Sequence, residues 1–147
     1  MRTILKLQMK HIFMSIVFSV FLVTTSACSN DDEPDNRIEV TYEAVVGPVT
    51  NSITNISYTD ANGDVVTVPA DSDDFEILEG NLHWKKTIRV NAPFNASLSA
   101  IFHHEGTSTA FGALFIDRDD EQVSEEFSTL NAGMSIPLSA SAAITEQ

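Results

Sequence analysis

The chain has one cysteine, one tryptophan and six glycines in 147 residues, and only 8 lysines and arginines against 21 aspartates and glutamates. Each scarcity excludes something. A single cysteine cannot close an intramolecular disulfide framework or build a Cys-rich metal centre. The glycines stand singly, so no phosphate-cradling loop is expected. Arg2, Lys6 and Lys10 lie in the first 27 residues, which contain no acid; the remainder holds five basic and all 21 acidic residues, a net of −16. A body that acidic repels phosphate backbones, so no nucleic-acid partner is expected. It also repels anionic lipid headgroups, so any attachment to a membrane has to be covalent. The longest apolar run, residues 12–23, is broken by Ser15 and Ser19. It falls short of the roughly 20 residues that a spanning helix needs. The length suits one domain.

What is present begins with an address. Residues 1–10 are basic, residues 12–23 are apolar, and Thr25-Ser26-Ala27 precede Cys28. That order of positive end, short apolar stretch and small residues is a secretory signal. With the sole cysteine directly after the small pair, it resembles a bacterial lipobox, although Thr25 stands where leucine is usual. The resemblance implies that residues 1–27 are removed as a lipoprotein signal peptide and that the Cys28 thiol is diacylated. The other reading is an ordinary secretory signal followed by a coincidental buried cysteine. A free thiol has little other use in an oxidising envelope. Two or more acyl chains, at about 0.8 kcal/mol per buried methylene, make a stable anchor.

Residues 29–36 contain four acids, one proline and no apolar side chain. Such a segment cannot offset its ordering entropy by burial, so residues 28–36 read as an acylated cysteine with a flexible acidic tether. Ser29 next to the cysteine argues against retention at the inner membrane. The run Cys28-Ser29-Asn30-Asp31-Asp32-Glu33 also resembles the acidic export signal of surface lipoproteins; a plain solvated linker is the competing reading. The expected location is the bacterial cell envelope, anchored to the outer membrane on either its periplasmic or its surface side.

From residue 37 onward the hydrophobic period is two. Ile38, Val40, Tyr42 and Ala44 alternate with Glu39, Thr41 and Glu43. Ile56 and Tyr58 lead to the turn Asp60-Ala61-Asn62-Gly63-Asp64 and the return strand Val65–Val68, a hairpin over residues 53–68. Phe75 and Ile77 fit a short edge segment. Trp84, Lys86, Ile88 and Val90 share one face of a strand that Asn91-Ala92-Pro93 ends. Ala96, Leu98, Ala100 and Phe102 alternate with Ser97, Ser99 and Ile101. Residues 109–116 are apolar on both faces, the pattern of a central strand, and are followed by the turn Asp117-Arg118-Asp119-Asp120. Two more strands carry Val123, Glu125, Phe127, Thr129 and Ile136, Leu138, Ala140. No window shows a helical stripe. Seven or eight short strands with regular turns predict an all-β fold, a single antiparallel immunoglobulin-like sandwich over residues 37–147.

Five segments, in order, carry a resemblance: Val40-Thr41-Tyr42-Glu43, Ile56-Ser57-Tyr58-Thr59-Asp60-Ala61-Asn62-Gly63, Leu82-His83-Trp84-Lys85-Lys86-Thr87, Leu98-Ser99-Ala100 and Leu114-Phe115-Ile116-Asp117. Together they resemble the MmpS family of small membrane-anchored transport accessory proteins. The resemblance implies an immunoglobulin-like sandwich and a non-catalytic role beside an envelope transporter or surface complex. His83 stands in place of the family's proline, its two cysteines are absent, and a lipid anchor replaces its membrane segment.

The reactive residues point to no catalysis. His103 and His104 are neighbours on a strand, so they face opposite ways and cannot easily share a metal with His83. The acidic runs Asp60-Asn62-Asp64, Asp71-Asp73-Asp74 and Asp117-Asp119-Asp120-Glu121 lack the glycine and glutamate spacing of a closed calcium loop. No Gly-x-Ser-x-Gly elbow occurs. No catalytic, metal or cofactor residue is therefore assigned, and no binding residue either. Trp84, Phe111 and Phe115 are expected in the core, with an exposed sugar-stacking role for Trp84 as the alternative. The expected function is a lipid-anchored, non-catalytic binding or transport-accessory lipoprotein. The rival is a surface module for a small ligand, a carbohydrate or a cation. A third reading, a subunit that polymerises by strand exchange, needs a missing strand or a long unpaired edge.

Overall fold

The structure, a computed structural model, describes residues 36–69 and 72–146. Cys28, the signal segment 1–27, the tether up to residue 35 and Asp71 lie outside the described residues. Nine strands follow in order: β1 (Ile38–Gly47), β2 (Ser52–Thr59), β3 (Val65–Thr67), β4 (Phe75–Leu78), β5 (Asn81–Val90), β6 (Phe94–His103), β7 (Ala110–Arg118), β8 (Glu121–Leu130) and β9 (Ser135–Ile144). They form a five-stranded sheet, β4-β5-β1-β7-β8, and a four-stranded sheet, β3-β2-β6-β9. Every pairing is antiparallel.

The sandwich follows from the alternation. Val40, Tyr42, Ala44 and Val46 of β1 are fully buried on one face. They meet Ile56, Leu98, Ala100 and Phe102 from the other sheet in one hydrophobic core. Gly112 of β7 faces that core, where a Cβ would lie 2.7 Å from the Phe102 ring. The missing side chain is what lets Phe102 seat against the strand. In β2 the inward positions are Ile53 and Ile56, three apart. Asn55, at φ 51°, is the extra residue that shifts the register between Thr54 and Ser57.

The turns obey local chemistry. Asp60 Oδ1 accepts from the main-chain N–H of Asn62 at 2.9 Å and of Asp64 at 3.0 Å, and Gly63 takes φ 87°. These bonds hold the Asp60 carboxyl below the ordinary carboxylate value, the Asp64 N–H contributing most. Asp119 and Asp120, both at positive φ, close the two-residue β7-β8 hairpin, and Glu79-Gly80 do the same between β4 and β5.

The observed sandwich is that expected, with nine strands rather than seven or eight. Its order departs from the immunoglobulin constant-type plan, in which the first strand takes an outer place in its sheet. Here β1 is the middle strand of five, and the late β7-β8 hairpin fills the positions beyond it.

Candidate functional site

The two outer faces differ in chemistry. On the four-stranded sheet, Ser57, Thr67, Ser97, Ser99, Ser139 and Ser141 lie on the outer side by alternation and register. They form a flat field of hydroxyls with open depressions. His103 bridges its strands, with Nε2 2.7 Å from Thr54 Oγ1 and Nδ1 2.6 Å from Ser135 Oγ. Among the described residues both ring nitrogens meet hydroxyls and no carboxylate orients the ring, so the histidine–hydroxyl contact lacks the third member of a hydrolytic triad. It acts as a cross-strand tie.

The outer face of the five-stranded sheet is aromatic and acidic. β7 reads Ala-Phe-Gly-Ala-Leu-Phe-Ile-Asp-Arg. Its inner side carries Ala110, Gly112, Leu114 and Ile116, and its outer side Phe111, Ala113, Phe115 and Asp117. The expectation that Phe111 and Phe115 belong to the core is therefore corrected. Both are half-buried on the outer side of a two-layer fold, and no helix in the described residues supplies a third layer to cover them. Phe111 pairs with Gly47 in register, and its ring occupies the space where a Gly47 side chain would project. Phe127 of β8 stacks on Phe111 with ring centroids 6.0 Å apart and planes 18° from parallel. Phe127 is 58% exposed and Val123 is 41% exposed. Exposed apolar groups rimmed by polar ones are a feature of interaction surfaces.

Charge rings the patch. Glu43 lies between Lys85 and Phe115 in register. His83 is half-buried, and its Nδ1–H donates to Glu43 Oε1 at 2.8 Å. Asp117 pairs with Thr41, one step along the same face. Partial burial raises the Asp117 carboxyl above the ordinary value; the negative charge of Glu43 adds to this and Lys85 opposes it. With Glu39, Glu76 and Glu125, this face presents five carboxylates against Lys85 and Arg89 as permanent cations.

The other candidate residues do not converge. His104 is buried away from both His83 and His103, with Nδ1 2.6 Å from Asn51 Oδ1 and Nε2 against the Ser108 carbonyl oxygen. Its main-chain N–H donates to Met134 and its carbonyl accepts from Gly133, so it locks three loops at one end of the sandwich. Among the described residues no group of three His, Cys, Asp or Glu side chains could hold a metal ion. Asp60–Asp64 close the β2-β3 hairpin and Asp119-Asp120 the β7-β8 hairpin, whereas Asp73 and Asp74 lie in the connection from β3 to β4, strands of different sheets. Trp84 is fully buried on β5 beside Tyr58, at 5.6 Å between ring centroids, which removes the sugar-stacking alternative. No helix in the described residues is long and apolar enough to cross a membrane.

Sequence reasoning saw the strands that carry the patch but assigned two of its phenylalanines inward. The missed signal is a count of faces. A strand apolar on both sides needs two covering layers, and a sandwich of strands alone offers one. No protein-family model matches the chain, and no curated protein matches it.

Proposed function

We propose that the chain is a non-catalytic lipoprotein of the bacterial cell envelope that binds a protein partner through the outer face of its five-stranded sheet. The observation that carries the reading is the Phe111–Phe115–Phe127 face, on which Phe127 is 58% exposed, Phe111 and Phe115 are half-buried, and no helix of the described residues packs. The position of Cys28 after a secretory signal supports lipid anchoring to the outer membrane. The resemblance of five segments to the MmpS family favours a role as accessory to an envelope transporter or surface complex over other binding roles. A protein partner suits the outer face of a sheet, because small ligands are taken in concave sites.

Two measurements test this together. Labelling with a palmitate analogue should mark the wild type and not Cys28→Ser; equal labelling of both removes the anchor. A photo-reactive phenylalanine analogue placed at position 127 should cross-link a partner in intact cells, while the same analogue at position 141, on the hydroxyl face, should not. Equal capture at both positions, or none at either, removes the binding face.

A further inference from the structure

A sandwich of two open sheets has four edge strands, and three of them here are defended. β3 has three residues and β4 has four, too short to template a long added strand. β9 has ten residues but carries Pro137, which has no N–H to offer. β8 is different. It runs ten residues at the end of its sheet with neither proline nor lysine. Its bulge, opposite Ile116 and Asp117, is confined to its beginning, which leaves residues 124–130 regular. Its only defence is charge, from Glu121, Glu125 and Glu126. Glutamates repel an acidic strand, including a second copy of this acidic chain, but attract a basic one.

We propose that the β8 edge receives an extended basic and apolar segment of a partner protein as a sixth strand of the five-stranded sheet. The inference rests on the binding face proposed above and names the partner's chemistry. Main-chain N–H and C=O groups of the incoming strand pair with those of β8. In antiparallel register one apolar side chain lies beside Phe127 and extends the Phe111–Phe127 stack, and a second reaches Val123 at the bulged beginning of β8. Its basic side chains lie opposite Glu126 and Glu125, on the two faces of the sheet. The partner therefore reads, from its amino end, apolar, basic, basic, any residue, apolar.

The test uses the full chain in detergent and the synthetic probe Thr-Ser-Val-Lys-Lys-Thr-Val-Thr-Lys. Binding is expected to weaken at least about tenfold when lysines are exchanged for glutamates, in Phe127→Ser, and in the double variant Glu125→Gln with Glu126→Gln. It is also expected to weaken with salt. Two probes N-methylated on alternate residues separate edge pairing from face contact. One should bind like the parent and the other should lose at least about tenfold, because an added strand pairs along one edge only. Equal binding of both methylated probes, or of the glutamate probe, overturns strand addition. So does a concentration-dependent dimer of the chain that Phe127→Ser dissolves, since the occupant is then a second copy. If the cross-link at position 127 captures a partner while the lysine probe fails to bind, the binding face stands and strand addition falls; if both fail, both fall.

Discussion

The Tyr42 hydroxyl donates a hydrogen bond to the main-chain carbonyl of Thr59 at 2.9 Å, joining the middle strand of one sheet to the end of β2 in the other. The bond is buried, and the Tyr42 ring leans on Tyr58 at 5.4 Å between centroids. Removing the donor leaves the carbonyl without it in a dry site. Tyr42→Phe should therefore cost about 1–3 kcal/mol, read from the urea midpoint at constant slope. Burial first, then proximity to Tyr58 and Asp60, pushes the Tyr42 hydroxyl well above the ordinary phenol value. The folded state thus holds this proton more tightly than the unfolded chain. Its contribution is complete below the unfolded value of about 10 and is lost as pH rises above it. Stability of the wild type should fall above about pH 10 more steeply than that of Tyr42→Phe; parallel slopes would exclude the linkage.

Trp84 extends the same aromatic row and is fully buried. Trp84→Ala should cost about 3–5 kcal/mol, the range for large aromatic truncations in cores. Native fluorescence should be blue-shifted and move to the red on unfolding. Its indole Nε1 has no hydrogen-bond partner among the described residues, so Trp84→Phe should cost clearly less than the alanine variant. An alanine variant that melts with the wild type would contradict the buried placement.

Much of this architecture was legible because its causes are local. Alternation marks a strand whatever it pairs with, and Asn62-Gly63 or Asp119-Asp120 announce turns through residues that accept positive φ. The bulge at Asn55 was not legible: it breaks the period by one residue, and nothing nearby shows which register the partner strand imposes. The assignment of Phe111 and Phe115 failed for a related reason. Alternation separates two faces without saying which meets the other sheet, and that depends on strand order, a non-local property. Here the late hairpin β7-β8 joined the sheet beyond β1, so one of its apolar sides had no layer to meet. The candidate face was visible only as composition until the topology placed it.

Asp117 carries a further consequence of that placement. Its carboxyl sits above the ordinary value because partial burial and Glu43 disfavour the charge. The folded state therefore favours the protonated form, and stability from this group is present at low pH and lost as pH rises past the unfolded value of about 3.9. Asp117→Asn should raise the melting temperature slightly at pH 7, and the gain should vanish below about pH 3.9. A variant less stable than wild type at pH 7 would show that Asp117 makes a net favourable contact instead.

Phe127 and Phe102 are the same residue type on opposite sides of the β-layer logic. Phe102 is fully buried between the sheets against Gly112, whereas Phe127 is 58% exposed on the outer face. Phe102→Ala removes packed core volume and should cost about 3–5 kcal/mol. Phe127→Ser removes a side chain that is more than half exposed and stacked on Phe111, and should cost only about 0.5–1.5 kcal/mol. Its loss should instead reduce binding of an apolar dye to the native protein, because the exposed apolar patch becomes smaller. Thermal melts of both variants, with dye titration of the native states, separate the two roles. A large loss of stability in Phe127→Ser would mean that this phenylalanine serves the fold, and the outer face would lose its standing as an interaction surface.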